Sequence, residues 1–219
     1  MRVDFVEGRI LGSLIEKQLT TPQQYPLSLN SLVLACNQTS NRDPVTSFDE
    51  AAVEASLAAL KEKNLVRYVL PSHGRSVVRY RQVLDERLGL DERQMALLGV
   101  LLLRGPQTVG ELRARTERMA RFDATEDLEH DLEGLTQGEE PLVVRLERRP
   151  GQKEQRWAHL LGDEAPAAVS ELPAGDFGGF NTSRAEGTHD DLRDELESLR
   201  KEVEELRADV SSLKEALGL

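Results

Sequence analysis

The sequence predicts a mainly α-helical α+β protein with small β-hairpins, built as two tandem winged helix-turn-helix domains followed by a C-terminal parallel coiled-coil helix. Three observations support this prediction. A pattern of three helices and a hairpin occurs twice, a stretch rich in proline and glycine follows, and the last 30 residues carry an unbroken heptad pattern. We assign residues 1–85 to winged-helix domain 1, 86–161 to winged-helix domain 2, 162–189 to a flexible linker and 190–219 to a dimerisation helix.

The first repeat begins with apolar residues at three- and four-residue spacing, from Val6 through Ile10 to Leu14, which predicts a helix. Ser28 is a suitable N-cap for a second helix. Ser47, followed three residues later by Glu50, has the capping-box signature that precedes a third helix. Strand-like runs at 65–70 and 77–81 flank a turn. This order of elements is typical of a winged helix.

The second repeat has the same order. A leucine-rich helix lies near 97–102, Thr108 caps a second helix, and Asp123 with Glu126 precedes a third. Strand-like runs follow at 142–146 and 155–160. The segment 11–14 (LGSL) aligns with 98–101 (LGVL), which indicates a tandem duplication. A single all-helical domain with incidental hairpins fits less well, because the same order occurs twice.

The C-terminal segment has an apolar residue at every a and d position of its heptads: Leu192, Leu196, Leu199, Val203, Leu206, Val210, Leu213 and Leu217. The e positions are basic, and the g positions are acidic except for Ala216. In a parallel homodimer this places opposite charges together, whereas an antiparallel pair would oppose like charges. Each exposed pair contributes only about 0–1 kcal/mol, so the charges select orientation more than they stabilise. A solvated single helix would not need this continuous apolar stripe.

Several classes of protein are disfavoured by composition. Cys36 is the only cysteine, so no intrachain disulfide can form, and no apolar run approaches the ~20 residues of a membrane span. No secretory signal is visible, and we expect a cytoplasmic protein. The four histidines are scattered, and no phosphate-binding glycine loop is present. We therefore expect a binding protein with no catalytic residues, metal or cofactor, rather than an enzyme.

The net charge of −11 is unevenly distributed. Residues 162–219 contain 6 basic and 15 acidic residues, whereas residues 1–85 contain 10 and 9, and residues 86–161 contain 12 and 15. Most of the acidity therefore lies in the tail. The whole-chain charge decides little about what the two repeats bind.

Both predicted third helices are acidic, and carboxylates there would repel DNA phosphates. Candidate nucleic-acid contacts therefore lie elsewhere, in one loop and in the two hairpins: Asn37, Gln38, Asn41, Arg42, Arg75, Arg79, Arg81, Arg145, Arg148, Arg149, Lys153 and Arg156. A further basic group, Arg113, Arg115, Arg118 and Arg121, is better explained by ion pairs with the acidic helices. Two hypotheses remain open: a dimeric, regulatory protein that binds double-stranded DNA, and an adaptor that docks other proteins on its winged helices.

The motifs EKQ at 16–18, TTP at 20–22, YPLSLN at 25–30, ACNQ at 35–38 and NR at 41–42 form one characteristic block. LRG at 103–105, QT at 107–108, GELR at 110–113, RM at 118–119 and PGQKE at 150–154 form another. With these motifs the chain resembles the YceH-like family of uncharacterised bacterial proteins. The resemblance implies a tandem winged-helix fold in a bacterial cytoplasm, and it implies no particular activity or functional residue.

Overall fold

The computed structural model describes residues 2–70, 77–148 and 151–162, which form seven α-helices and two small antiparallel sheets. The fold class is therefore α+β, with helices predominating. The coiled coil predicted at 190–219 and residues 163–189 of the predicted linker lie outside the described residues.

The first repeat contains four helices, a short 3-10 turn and three strands. Their bounds are α1 Phe5–Thr20, the 3-10 turn Pro22–Gln24, β1 Leu27–Ser28, α2 Leu29–Cys36, α3 Glu50–Glu62, β2 Val66–Val69, β3 Arg79–Gln82 and α4 Leu84–Leu88. Ser28 caps α2 as predicted, by accepting a hydrogen bond from the Ser31 amide. Helix α4 spans the predicted boundary between residues 85 and 86.

The second repeat contains three helices and a hairpin: α5 Glu92–Arg104, α6 Val109–Thr116, α7 Thr125–Gly134, β4 Val143–Arg145 and β5 Trp157–His159. Thr108 caps α6 as predicted, and Glu111 completes a capping box. The first helices of the two repeats begin alike, since Asp4 and Asp91 are both N-caps with complete capping boxes. These two residues are 87 positions apart, as are the aligned segments 11–14 and 98–101.

Two predicted caps were wrong. Helix α3 is capped by Asp49, whose carboxylate accepts from the Ala52 amide at 2.7 Å, and not by Ser47. Helix α7 begins after Ala124, whose amide donates to Asp127 at 3.1 Å, so Asp123 and Glu126 do not form its cap. In both cases several acidic or hydroxyl residues precede the helix, and the spacing alone does not select among them.

The two sheets share one pairing, although the first has three strands and the second has two. In the first sheet β3 lies between β1 and β2, with Tyr80 opposite both Leu27 and Tyr68. In the second, β4 pairs with β5, and Gln107 forms a bridge to Trp157 with N–O distances of 2.9 and 2.7 Å. In each repeat, the residue just before the N-cap of the second helix therefore pairs with the last strand of the hairpin. This shared pairing supports the predicted duplication.

The two repeats pack together through α1 and α5, within one compact unit. Ile10, Leu14 and Ile15 of α1 are fully buried in this core. The aligned glycines lie at the contact. A Cβ on Gly12 would lie 2.8 Å from Leu103 Cγ, and a Cβ on Gly99 would lie 2.9 Å from Ile15 Cγ2. Gly12 and Gly99 are therefore the residues that allow α1 and α5 to approach closely.

Candidate functional site

The loop between α2 and α3 is closed by Asn37, the first of the predicted nucleic-acid contacts. The Asn37 Nδ2 group donates to the Phe48 carbonyl at 2.7 Å, and Asn37 Oδ1 accepts from the Phe48 amide at 2.8 Å. Thr46 Oγ1 also donates to Oδ1, at 3.3 Å, or to the Cys36 carbonyl, at 3.2 Å. Both ends of the Asn37 amide are thus used to hold the loop.

Arg42 is buried beneath the same loop. Its guanidinium donates to the carboxylate of Glu16 at 2.7 and 3.2 Å and to the carbonyls of Ala35 and Asn41 at 3.0 and 2.9 Å. It also donates to Gln38 Oε1 at 2.9 Å. Burial alone would raise the pKa of Glu16, but the hydrogen bonds and charge of Arg42 lower it. Arg42 and Gln38 therefore stabilise the loop, and Asn41 is its exposed predicted contact.

The described cations of the first hairpin are engaged with nearby groups. Arg79 donates to the Pro26 carbonyl at 2.8 Å. Arg81 and Arg67 both pair with Glu86, at 2.6 and 3.0 Å. The predicted contact Arg75 lies outside the described residues. The sequence predicts that these arginines lie on the hairpin. It does not indicate that two of them, Arg67 and Arg81, form ion pairs with Glu86 of α4.

The second hairpin carries cations in two different situations. Arg156 is bound by Glu111 and by the Pro106 carbonyl, each at 2.9 Å, and the Arg145 guanidinium lies 5.7 Å from the centre of the Trp157 ring. Arg148 and Lys153 are exposed, and within the described part of the chain they have no hydrogen-bond or ion-pair partner. Arg149 lies outside the described residues. This hairpin therefore presents two free cations, each next in sequence to an exposed acidic residue, Glu147 or Glu154.

Contacts with the acidic helix α7 and with the residues just before it account for only some of the arginines in α6 and in the turn that follows α6. Arg113 donates to Thr125 Oγ1 at 2.9 Å, and Arg121 pairs with Asp123 at 3.1 Å. Asp131 of α7 is instead bound by Arg93 of α5, at 2.6 Å.

Where the two repeats meet, a small cleft of about 130 Å³ opens. We refer to it as the inter-repeat cleft. It is lined by residues of α1, the 37–49 loop, α5, α6 and the turn after α6: Glu16, Lys17, Thr20, Gln38, Ser40, Asn41, Val100, Leu103, Arg104, Arg115, Arg118 and Met119. The cleft gathers predicted loop residues with two of the α6-region arginines, whereas both hairpins are absent from its lining.

Two cations of the inter-repeat cleft, Lys17 and Arg104, were not among the contacts predicted from the sequence. Each lies in the last turn of the first helix of its repeat, and the two are 87 residues apart. They are therefore equivalent positions of the predicted duplication. Extending the alignment of 11–14 with 98–101 by three residues would have paired them.

No other chemical centre emerges from the described residues. Cys36 is buried, and burial raises the pKa of its thiol to about 11, so it is a poor nucleophile. Within residues 2–70, 77–148 and 151–162, no group of three or more histidine, cysteine or acidic residues is arranged to hold a metal ion. None of the helices in these ranges has the length and apolar character needed to cross a membrane.

Comparison with known proteins identifies the family. Residues 3–152, which run from the start of α1 into the second hairpin, match the family described as a protein of unknown function, DUF480. The chain belongs to the DUF480 family. A UPF0502 protein of Geotalea daltonii is 52% identical over 168 residues, covering 77% of this chain and 76% of the relative. UPF0502 proteins of Geobacter sulfurreducens and Opitutus terrae are 51% and 50% identical, and cover 77% and 76% of this chain and 76% and 72% of their own lengths.

These matches confirm the predicted membership in a YceH-like family of uncharacterised bacterial proteins. The DUF480 match covers the first repeat, the second repeat as far as residue 152, and the residues of the inter-repeat cleft. Membership assigns no activity.

Proposed function

We propose that this DUF480 protein is a non-enzymatic, dimeric DNA-binding regulator of the bacterial cytoplasm, built from two winged-helix repeats. The winged-helix interpretation is supported by the order of three helices and a hairpin in each repeat. It is also supported by the strand pairing before the second helix, Leu27 with Tyr80 and Gln107 with Trp157. In winged-helix proteins the hairpin commonly contacts the DNA backbone.

The observation that carries the DNA-binding proposal is the free positive charge of the second hairpin. Arg148 and Lys153 are exposed and have no partner within the described part of the chain, so their donors are available for phosphate oxygens. Arg145 is exposed beside them. Phosphate contacts of this kind give affinity and orientation without reading sequence.

The third helices favour a binding mode in which the hairpin makes the main contacts. The exposed face of α3 carries Glu50 and Glu54, and the exposed face of α7 carries Glu126 and Glu133. Insertion of either helix into the major groove would bring these carboxylates close to phosphates. We therefore propose that the second hairpin lies against the backbone while α3 and α7 remain outside the groove.

Dimerisation completes the proposal. The heptads predicted at 190–219 would join two chains in parallel, so that each dimer presents two copies of the second hairpin. Two hairpins on one duplex double the number of phosphate contacts and fix their spacing. The heptad pattern of the sequence is the support for this part of the proposal.

The test is binding of the full-length protein to random duplex DNA over a series of salt concentrations, measured by fluorescence anisotropy. The plot of log affinity against log salt should have a negative slope, and Arg148→Ala with Lys153→Ala should reduce that slope by about 0.9 for each lost contact. The matched control is Arg148→Lys with Lys153→Arg, which keeps both charges and should keep the slope. An unchanged slope in the alanine variant would exclude the second hairpin as the contact surface.

A second function is favoured by the first hairpin, where large apolar side chains are exposed. Val69, Leu70 and Val77 have exposed fractions of 38%, 73% and 58%. Together with the acidic face of α3, they suit an adaptor that docks another protein. Absence of DNA binding at low salt would favour this function. A photo-crosslinking amino acid at Leu70 should then yield a discrete protein adduct that the same amino acid at Arg121 does not.

A further inference from the structure

The inter-repeat cleft is too small for most organic ligands. Its volume of about 130 Å³ is well below the roughly 300–1,000 Å³ of pockets that enclose drug-sized molecules. A phosphate or pyrophosphate group is of suitable size, and the remainder of a larger solute would extend outside. The floor contains Leu103 and Met119, whereas the rim is polar and charged.

Positive charge is in excess in the cleft. Lys17, Arg104, Arg115 and Arg118 line it together with a single carboxylate, Glu16. Both oxygens of Glu16 already accept hydrogen bonds from Arg42. Lys17 Nζ also lies 3.4 Å from Glu16 Oε2.

The nearby carboxylates do not remove this excess. The charges of Asp43 and Glu111 also act on Arg104, but Glu111 is held by Arg156 at 2.9 Å and is 3.8 Å from Arg115. Burial and then the charge of Arg115 lower the pKa of Arg104, as expected for like charges held together away from water.

Several donors of the cleft have no strong acceptor. Arg104 Nε is buried without a partner in the described structure, and Arg104 Nη1 is 3.5 Å from Asn41 Oδ1. Arg118 is exposed, and no hydrogen bond or ion pair from the described residues reaches it. A tetrahedral oxyanion could accept from both guanidinium groups, in the way that arginines commonly recognise phosphate.

The cleft is also held in shape before any ligand binds. Asn41 has a positive φ of 58°, and the neighbouring Asp43 amide donates to the Leu103 carbonyl at 3.0 Å. Arg42 fixes the Asn41 carbonyl from below. These bonds join the loop of the first repeat to the end of α5 in the second. Preorganisation of this kind lowers the entropic cost of binding.

We propose that the inter-repeat cleft binds the phosphoryl group of a small phosphorylated solute, with Lys17, Arg104, Arg115 and Arg118 as its recognition residues. This site is separate from the second hairpin, so it extends the proposed function and does not depend on it. A purely structural explanation competes with it. Lys17, Arg104 and Arg115 lie in the last turns of α1, α5 and α6, where cations complement the helix dipole. Phosphoryl binding distinguishes the two explanations, because a helix-end role needs no ligand.

The test is calorimetric titration of the full-length protein with pyrophosphate at constant ionic strength, together with the shift of Tm that pyrophosphate causes. The cleft variant is Lys17→Gln with Arg118→Gln. The matched control is Arg113→Gln with Arg121→Gln, which removes two charges from the same region outside the cleft. We expect one site per chain, an affinity at least about tenfold weaker in the cleft variant, and an affinity within about twofold of wild type in the control.

Failure of wild type to bind pyrophosphate, or equal affinity in wild type and the cleft variant, would overturn the proposal. The Tm shift serves as the second readout where the heat of binding is small. Duplex DNA then identifies the source of the phosphoryl group. Simultaneous binding of DNA and pyrophosphate supports a free solute as the ligand. Displacement of pyrophosphate by DNA, with a smaller salt slope in the cleft variant, assigns the recognised phosphoryl group to nucleic acid and overturns the solute. If the wild-type protein binds pyrophosphate but not duplex DNA, the proposed DNA-binding function is rejected and the phosphoryl site is retained.

Discussion

The contact between α1 and α5 makes a prediction in which two physical effects oppose each other. Replacing a helical glycine by alanine ordinarily stabilises a helix by about 1 kcal/mol. At Gly12, however, the new Cβ would lie 2.8 Å from Leu103 Cγ, 3.0 Å from Leu103 Cδ2 and 3.1 Å from Leu102 Cβ. Leu102 Cβ is fixed by the α5 backbone, and the Leu103 side chain is itself buried, so the contacts can be relieved only by a shift of packed groups.

Overpacking of a core commonly costs about 1–3 kcal/mol. Three close contacts place Gly12→Ala in the upper part of that range, and subtraction of the helix-propensity gain leaves a net loss of about 1–2 kcal/mol. Gly99→Ala should lose less, because only Ile15 approaches the new Cβ closely. Gly110 in α6 is the control. A Cβ at Gly110 would have no atom within 4 Å, so Gly110→Ala should gain up to about 1 kcal/mol.

The assay is urea unfolding of the full-length variants, followed by circular dichroism at one fixed protein concentration, because the proposed dimer would make stability depend on concentration. The decisive result is the difference in sign between Gly12→Ala and Gly110→Ala. If both variants were stabilised, α1 and α5 could not cross as closely as described, and close packing of the two repeats would be refuted.

Three further predictions concern other parts of the chain. Burial lowers the pKa of His159 from 6.5 to about 4, so the unfolded chain takes up a proton that the folded chain excludes. Stability should therefore fall by up to about 3 kcal/mol as the pH drops from 6.5 towards 4, and urea titrations of His159→Gln should show a weaker dependence. Arg42→Met leaves the Glu16 carboxylate buried without its main partner and should cost about 3 kcal/mol or more, whereas the double variant with Glu16→Leu should recover part of that loss in thermal unfolding. Deletion of residues 190–219 should weaken the dimer in equilibrium sedimentation, and a monomeric full-length protein would refute the predicted coiled coil.

The parts of the fold that follow from apolar periodicity could be predicted from the sequence. Val53, Leu57 and Leu60 recur at four- and three-residue spacing in α3, and all three are fully buried. Strand β1 was missed because two residues give no alternation to detect. The cap at Asp49 was missed because Ser47 offered an equally good local signal two residues earlier. Local patterns thus identify elements well, and they define element ends poorly.

Residue type was a weaker guide to the candidate site. Arg42 was predicted to contact nucleic acid because arginine often does, yet its donors are used by Glu16, Gln38 and two carbonyls. A sequence does not reveal whether a donor already has an acceptor. Lys17 and Arg104 were not predicted as contacts, yet both line the inter-repeat cleft. They come together because α1 crosses α5, and that crossing is a property of tertiary packing.

The N-terminal end of the first repeat and the last described residues of the second lie side by side. The Val3 amide donates to the Leu161 carbonyl at 2.7 Å, and Val3 forms a parallel bridge with Gly162. A protein fused to the N-terminus would therefore start beside the point where the chain leaves the second repeat toward the tail. The same closeness makes the repeats suitable for circular permutation, with a short peptide joining residue 162 to residue 2 and new ends opened at another exposed turn.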